Sequence, residues 1–190
     1  MDKDKITSIF RDTGAMLAGH FLLTSGRHSD RYIQCALVLQ RPDCAGILCR
    51  ELASRFAGDD VTVVAGPATG GIIVSYETAR ALGVRWIFAE RENGVMSFRR
   101  GFSINPGEKA LVVEDVITTG SSVWEVIDAV RRQGGIVAGA GVLVDRSNGK
   151  IDLGVRVESL LPMEVVSYSP QDCPLCREGL PLVKPGSRNI

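Results

Sequence analysis

Short runs rich in β-branched residues alternate with longer segments of helical period through the middle of the chain, and this alternation constrains the fold strongly. The predicted strands are VTVVAG (61–66), VRWIFAE (84–90), KALVVED (109–115) and IVAGAGVLVD (136–145). Two predicted helices separate them, GGIIVSYETARALG (70–83) and a segment after residue 122 whose apolar stripe is Val123, Val126, Ile127 and Val130. Strands alternating with helices are typical of parallel sheets. The sequence therefore predicts an α/β fold with an open, mainly parallel sheet flanked by helices.

The segments on either side of this pattern are predicted to belong to the same domain, residues 1–190. Residues 1–40 are interpreted as a short helix followed by a small flap rich in strand formers and turn residues, GHFLLTSGRHSDRYIQCALVLQ (19–40). Residues 42–169 are the predicted α/β core, which opens with a helix over 42–58, and residues 170–190 are a predicted irregular tail. Trp86 and Trp124 fall in strand and helix patterns and are expected in the core.

Composition excludes some partners. The chain has 22 Lys and Arg against 22 Asp and Glu, so no overall positive charge indicates a nucleic-acid partner. No apolar stretch approaches the length of a membrane span, and the amino-terminal residues lack the apolar core of a signal peptide. Five scattered cysteines suit a reducing compartment. We therefore expect a cytoplasmic protein that binds neither nucleic acid nor membrane.

The stretch LVVEDVITTGSS (111–122) carries the first functional signal. Ligands of open parallel sheets bind beyond the carboxyl ends of the strands, where Glu114 and Asp115 are expected. Thr118–Ser122 then lead into a helix start, whose free N–H groups favour an anion. Carboxylates beside a phosphate-binding turn suit a sugar phosphate. The alternative is a helix cap beside a solvated strand end.

An apolar run, Glu-Asp, two residues, Thr-Thr-Gly-Ser and a helix closely resemble the diphosphate-sugar signature of type I phosphoribosyltransferases. Four further segments are similar to the orotate phosphoribosyltransferases of that family, namely GHFLLTSGRHSDRYIQC (19–35), GPATGG (66–71), residues 90–102 and VLVDRSNG (142–149). The resemblance runs over essentially the whole chain. It implies the type I phosphoribosyltransferase fold, and transfer of a ribosyl phosphate from 5-phosphoribosyl 1-diphosphate to orotate.

The resemblance also implies roles for individual residues. The diphosphate sugar would be bound by the loop Glu114, Asp115, Val116, Ile117, Thr118, Thr119, Gly120, Ser121 and Ser122, by the turn Ala68, Thr69 and Gly70, and by Arg91. Orotate would meet Thr118, Arg146 and the flap residues Ser25, Gly26 and Arg27. Without the resemblance, Arg146 is a surface arginine before an Asn148-Gly149 turn, GPATGG is a strand-to-helix turn, and SGRHSD is a hairpin turn.

A long connection around residues 91–102 resembles the catalytic loop that the family closes over the diphosphate. The catalytic residues implied are Arg91, then Arg99 or Arg100, together with Asp115. Thr24, Gly70 and this loop lack the lysines that many relatives carry there, and a solvated charged hairpin is the alternative. The resemblance further implies a homodimer and the cofactor Mg2+, held mainly by substrate and water, and it implies no protein residue as a dedicated metal ligand.

Two other functions stay open from the residues alone. One is transfer to a purine base, and the other is a non-enzymatic regulator that senses the diphosphate sugar. Cys173 and Cys176 in CPLC have half the spacing of a zinc site, which would need two more ligands from the other cysteines, a histidine or a second subunit. Ordinary thiols are the favoured interpretation, and His20 and His28 are assigned no role.

Overall fold

The computed structural model describes residues 1–23, 25–147 and 149–185, and its helices and strands follow one another in an α/β order. In chain order they are α1 (Lys3–Asp12), β1 (Met16–Leu22), β2 (His28–Ile33), α2 (Cys35–Leu39), α3 (Pro42–Ser54), β3 (Val63–Pro67), α4 (Gly70–Leu82), β4 (Arg85–Glu92), β5 (Val95–Phe98), β6 (Lys109–Ile117), α5 (Ser121–Arg132), β7 (Ile136–Asp145), β8 (Val157–Pro162) and α6 (Pro174–Arg177). Thr24 of the flap, Asn148 and residues 186–190 lie outside the described residues.

Six strands form the central sheet in the order β5-β4-β3-β6-β7-β8. The pairs β3 with β4, β3 with β6, β6 with β7 and β7 with β8 are parallel, and only the edge strand β5 is antiparallel to its neighbour. The predicted α/β class with a mainly parallel sheet is therefore confirmed. Because all parallel strands run the same way, the loops after β3, β6 and β7 emerge at one edge of the sheet.

Two apolar layers cover the two faces of the sheet. Val64, Leu111 and Val113 pack with α1, α2, α3 and α4 on one face, whereas Val63 and Val112 pack with α5 on the other, as the alternation of side chains along a strand requires. The stripe of α5 is buried as predicted, with Val123, Val126, Ile127 and Val130 at most 1% exposed. Gly83 caps α4 at φ 71°, in the left-handed conformation that glycine adopts without a steric penalty.

The structure differs from the sequence predictions in several places. The long connection predicted around 91–102 is wrong in its first half, since β4 continues to Glu92 and turns at Asn93-Gly94 into β5. Both turn residues have positive φ, 51° and 82°, which suits a tight hairpin. Trp124 was expected in the core but is 51% exposed, because the apolar stripe of α5 lies on its other side.

Two further differences concern element bounds. The helix predicted over 42–58 ends at Ser54, and Phe56 is buried in the turn that follows. Strand β8 had no counterpart among the strands predicted from the sequence, although it completes one edge of the sheet.

The predicted flap is an antiparallel hairpin of β1 and β2, and it is held by the carboxyl-terminal tail. Isolated bridges join Phe21 to Val183 and His28 to Tyr168. The tail, predicted to be irregular, also contains the short helix α6. Among the helices of the described residues, none combines the length and the apolar character that crossing a bilayer requires.

Candidate active site

The loop after β6 forms a small polar cleft at the carboxyl edge of the sheet. Gly120 has φ 79° and precedes the first turn of α5, so the backbone turns sharply and leaves N–H groups of that turn facing the loop. Thr119 and Ser121 are joined through their hydroxyl oxygens at 2.9 Å. A cavity of about 50 Å³ lies here, lined by Glu114, Val116, Ile117, Thr118, Thr119, Gly120, Ser121, Ser122 and Val123. Its N–H and hydroxyl donors suit a phosphate group.

The two acids of this loop lie against the start of α4. A Cβ placed on Gly70 would be 2.5 Å from Oδ2 of Asp115, and one on Gly71 would be 2.5 Å from Oε2 of Glu114. Only glycine allows so close an approach between the helix start and the carboxylates. The peptide bond between Ala68 and Thr69 is cis, and the N–H of Ala68 donates to the carbonyl of Ala89 at 2.8 Å. The structure thus brings the turn 68–71 and the acids of β6 together.

The sequence predicted Asp115 at the exit of its strand, and this is wrong because β6 continues to Ile117. The side chain is partly buried, and this desolvation raises the pKa of its carboxyl group. Hydrogen bonds to backbone N–H groups oppose that shift, and Oδ1 of Asp115 accepts from Val116 N–H at 2.7 Å. The carboxylate is therefore held in a fixed orientation at an energetic cost, which is unlike a solvated strand end.

Arg146 follows the last residue of β7 and is anchored to β6 by its own N–H, which donates to the carbonyl of Ile117 at 2.9 Å. The guanidinium carbon lies 5.9 Å from the centre of the Tyr32 ring. Burial lowers the pKa of Arg146. Its Nε is buried and has no hydrogen-bond partner among the described residues. A buried donor without an acceptor is costly, and an oxygen atom that accepted from Nε would remove that cost.

Tyr32 and Cys35 complete this part of the site, and sequence reasoning assigned neither of them. Burial raises the pKa of Tyr32, and the positive charge of Arg146 opposes the shift. The thiol of Cys35 is buried, and this burial, with the charge of Asp115 second, raises its pKa well above the ordinary value. Both residues lie in the quoted flap segment, but the residue pattern did not show which side of the hairpin meets Arg146.

The flap residues predicted to cover orotate make different contacts. Arg27 donates from Nε to the hydroxyl of Ser167 at 2.8 Å and from a terminal nitrogen to the carbonyl of Ser167 at 2.5 Å. Ser25 and Gly26 are exposed in the turn, where Gly26 N–H donates to the carbonyl of Leu23 at 2.9 Å. The end of β2 contacts Arg146 through Tyr32, whereas the turn between β1 and β2 is hydrogen-bonded to Ser167 through Arg27.

The three arginines predicted to be catalytic are each paired with a glutamate. Arg91 reaches Glu125 of α5 at 2.6 Å, Arg99 reaches Glu92 at 3.0 Å, and Arg100 reaches Glu90 at 2.7 Å. Their side chains are 41%, 48% and 64% exposed, respectively. Only Arg91 is tied to α5, one turn beyond Ser121, so it lies nearest the phosphate cleft along that helix.

A larger open depression of about 640 Å³ lies at the other edge of the sheet, and its lining residues are Asp60, Thr62, Asn105, Pro106, Gly107, Glu108 and Lys109. Its main charges are satisfied, since Lys109 pairs with Asp60 at 3.0 Å and Glu108 with Arg85 at 2.6 Å. It adjoins the amino end of β6, away from Asp115 and the glycine turn. The carboxyl edge is therefore the better candidate site.

Comparisons with known proteins identify the family of the chain. The family model described as the phosphoribosyl transferase domain matches residues 43–154, which include the glycine turn, Asp115 and Arg146. The chain is 73% identical to an orotate phosphoribosyltransferase of Pelotomaculum thermopropionicum and 64% identical to one of Desulforamulus reducens, covering 100% of both chains in each case. The crystal structure of an orotate phosphoribosyltransferase from Aeropyrum pernix superposes with a TM-score of 0.71 at 28% identity, over 83% of this chain and 93% of that one.

Proposed function

We propose that this chain, which belongs to the orotate phosphoribosyltransferase family, transfers ribose 5-phosphate from 5-phosphoribosyl 1-diphosphate to orotate in pyrimidine (UMP) biosynthesis. The bond from the anomeric carbon to the diphosphate breaks, and a bond from that carbon to a ring nitrogen of orotate forms. The products are orotidine 5′-monophosphate and pyrophosphate.

The observation that carries the proposal is the meeting of three elements at one edge of the sheet. Loop 118–122 lines a cleft together with Glu114, and the glycine turn at Gly70 lies against Asp115. Arg146, whose Nε has no hydrogen-bond partner among the described residues, shares its neighbours Tyr32 and Cys35 with Asp115. The loop would hold the 5′-phosphate, and the carboxylates would accept hydrogen bonds from the ribose hydroxyls. Arg146, stacked on Tyr32, would meet a planar, anionic base through its guanidinium group.

The same geometry suggests how the residues promote the reaction. The anomeric carbon gains positive charge as the diphosphate leaves, and the oriented carboxylate of Asp115 stabilises such charge without having to reorganise. Orotate binds as an anion and needs little activation, so Arg146 and Thr118 act by orienting the ring nitrogen. The diphosphate would lie at the turn Ala68, Thr69 and Gly70, where small residues let backbone N–H groups approach its oxygens.

Magnesium is the cofactor that we propose. Hard carboxylate oxygens of Glu114 and Asp115 lie beside the diphosphate turn, which is the donor chemistry that Mg2+ prefers. When bound through substrate oxygens and water, the ion supplies charge neutralisation for the leaving pyrophosphate. The residues of this chain hold the sugar and the base around it.

Arg91 is the loop cation that we propose for the leaving group, ahead of Arg99 and Arg100. It would exchange its partner Glu125 for diphosphate oxygens when substrate binds. Arg91→Ala should lower kcat about tenfold, the effect of losing roughly 1.4 kcal/mol of charge stabilisation. Glu125→Gln should leave kcat nearly unchanged. Equal losses in both variants would mean that the pair is only structural.

We also propose a homodimer, and an exposed apolar surface supports it. Ile73 and Tyr76 of α4 are 42% and 46% exposed, and Tyr76 packs edge-on against Trp86 at 5.4 Å between ring centres. Tyr76→Arg should give a mass of one chain in light scattering, against two chains for the unchanged protein. Ile136→Arg, at an exposed position at the start of β7, is the control. A monomeric unchanged protein would contradict the proposal.

Two remaining assignments concern the chain as a whole. We propose that residues 1–190 work as one catalytic unit, since the hairpin that carries Tyr32 is hydrogen-bonded to the tail. We propose a cytoplasmic location, which suits cysteines that are all unpaired among the described residues.

The deciding experiment follows the loss of orotate absorbance with purified protein, the diphosphate sugar and magnesium. Adenine, hypoxanthine and uracil are tested in parallel. Orotate consumption that requires donor and metal is the expected result. Use of a purine alone would indicate the purine-type transferase, and binding of the donor without turnover would indicate a regulator; either result would overturn the proposed activity.

A further inference from the structure

Four side chains with metal-binding atoms converge where the β1–β2 hairpin meets the tail. They are His20 of β1, His28 of β2, and Cys173 and Cys176 at helix α6, and their ligand atoms all lie within 4.8 Å of one another. His20, His28 and Cys173 are 3%, 5% and 1% exposed, and only Cys176 is exposed. We call this group the Cys2His2 cluster. None of its four residues lines the cleft at loop 118–122.

The spacings within the cluster fit a tetrahedral ion. Nε2 of His20 and Nδ1 of His28 are 2.9 Å apart, and Sγ of Cys176 lies 3.3 Å from His28 Nδ1 and 3.7 Å from His20 Nε2. Sγ of Cys173 is 3.6 Å from His20 Nε2. Ideal zinc–sulfur and zinc–nitrogen bonds at tetrahedral angles would place sulfur and nitrogen about 3.6 Å apart and two nitrogens about 3.3 Å apart. These four distances lie within about 0.4 Å of that geometry, and the other two pairs of ligand atoms are at most 4.8 Å apart.

A second contact fixes the orientation of the His20 ring. Its other ring nitrogen, Nδ1, lies 2.8 Å from the carbonyl oxygen of Leu180, which can only accept a hydrogen bond. If neutral, the ring therefore carries its proton on Nδ1, and the lone pair of Nε2 faces the cluster. A carbonyl that fixes the tautomer and orientation of a histidine in this way is the usual outer contact of a metal ligand.

We propose that His20, His28, Cys173 and Cys176 bind one zinc ion as a closed structural site. Two thiolates and two imidazoles in a tetrahedral arrangement favour zinc over hard cations such as magnesium. Four protein ligands fill a tetrahedral sphere and leave no open coordination position for a substrate, so the ion is structural. The interpretation of Cys173 and Cys176 as ordinary thiols is the alternative, in which His28 donates to His20.

The site would fasten the tail over the hairpin. Backbone hydrogen bonds already join them, from Leu22 N–H to the Val183 carbonyl and from Val183 N–H to the His20 carbonyl, both at 2.8 Å. Because the same hairpin places Tyr32 under Arg146, the zinc ion supports the base site from a distance. The proposal does not rest on the identity of the reaction.

The first test is metal content of the full chain, produced without a polyhistidine tag and kept reduced. One zinc per chain is expected in the unchanged protein and in the control Cys44→Ser, whose sulfur lies outside the cluster. Zinc should be lost in Cys173→Ser/Cys176→Ser. Cobalt in its place should give thiolate charge-transfer bands and tetrahedral visible bands only where the cluster is intact. Chains that bind no zinc even after reconstitution, or equal zinc in all variants, would overturn the proposal.

A second test separates metal loss from misfolding. Cys176 is exposed, so Cys176→Ser disturbs little packing and should fold, while Cys176→His offers a replacement ligand and should regain zinc. A strong chelator should lower the Tm of the unchanged protein and of Cys44→Ser, and should leave the Tm of Cys176→Ser unchanged. A chelator effect of the same size in all three proteins would contradict the site.

Discussion

Two groups of charged side chains in this molecule are held in opposite ways. At the carboxyl edge of the sheet, Asp115 is desolvated and Arg146 keeps a buried Nε without a hydrogen-bond partner among the described residues. Around the β4–β5 hairpin, Arg91, Arg99 and Arg100 are exposed and each is paired with a glutamate. In the first region, burial of the charged groups destabilises the fold. In the second region, the charged groups are solvated and form ion pairs that can exchange partners.

We propose that this difference in burial and pairing distinguishes residues that bind the substrates from residues that close over them. A buried donor without an acceptor destabilises the empty protein, and a ligand that satisfies it recovers that free energy on binding. Exposed ion pairs contribute little, so they can break and re-form during a loop motion at small cost. We therefore propose that the carboxyl edge recognises sugar and base in a fixed arrangement, and that the hairpin makes contacts only while the diphosphate is present.

The largest effect is expected from Arg146→Ala. Loss of a charge-assisted contact of about 2–3 kcal/mol should lower kcat/KM for orotate roughly 100-fold, while the KM for the diphosphate sugar changes little. Steady-state kinetics with each substrate varied in turn measure both. Arg80→Ala is the matched control, since Arg80 is an exposed arginine paired with Glu77 at 2.7 Å. An equal decrease in kcat/KM for both substrates would contradict a role of Arg146 in recognition of the base.

Gly70→Ala tests how tightly the carboxyl edge is packed. The new Cβ would lie 2.5 Å from Oδ2 of Asp115, so we expect a loss of about 1–3 kcal/mol in the free energy of unfolding and weaker binding of the diphosphate sugar. Gly58→Ala is the control, because it has open space around its Cβ position. Urea unfolding measures the free energy of unfolding of the two variants. The loss should shrink when Asp115→Ala is added, and an undiminished loss would place the clash elsewhere.

Asp115→Asn should separate stability from activity. Burial raises the pKa of Asp115, so its ionised form destabilises the fold, and this cost grows as pH rises from the unfolded-state pKa to the folded-state pKa and is constant above it. The variant should therefore have the higher Tm at neutral pH, and the gap should close below about pH 4, where the unfolded carboxyl group is also protonated. Activity should fall about tenfold, since a neutral acceptor binds hydroxyls more weakly. A lower Tm at neutral pH would contradict this account.

The smallest effect is expected from the ion pair of Arg91 and Glu125. A double-mutant cycle with Arg91→Ala and Glu125→Ala should give a coupling of about 0.5 kcal/mol in urea unfolding, decreasing in high salt. A coupling above about 2 kcal/mol would make this pair as costly to break as a buried one. The contrast between the two regions would then fail.

Sequence reasoning reached the fold and the loop because both depend on neighbours along the chain. The apolar run before Glu114 and the hydroxyl residues after it indicate a strand, a turn and a helix without long-range information. The stripe of α5 was predicted for the same reason. The connection predicted over 91–102 is partly wrong because a pattern of charges outweighed the Asn93-Gly94 hairpin signal.

Contacts between distant segments could not be predicted from the pattern. Tyr32 meets Arg146 across more than a hundred residues, and His20 meets Cys173 across 153. CPLC supplied half of a metal site, but nothing in the local sequence selected the two histidines of the hairpin over the other candidate ligands. The state of Arg91, Arg99 and Arg100 as paired side chains likewise depends on where their glutamates fold.

The β1–β2 hairpin pairs with Tyr168 and Val183, which are synthesised long after it. These contacts can therefore form only late in translation. His20 contacts the carbonyl of Leu180, 160 residues later in the chain. At about 5–20 residues per second, a ribosome adds that length in roughly 10–30 s. Throughout this interval, the nascent hairpin has unpaired strand edges that its final partners have not yet covered. The hairpin side of the molecule is thus the last part to be completed, after the sheet.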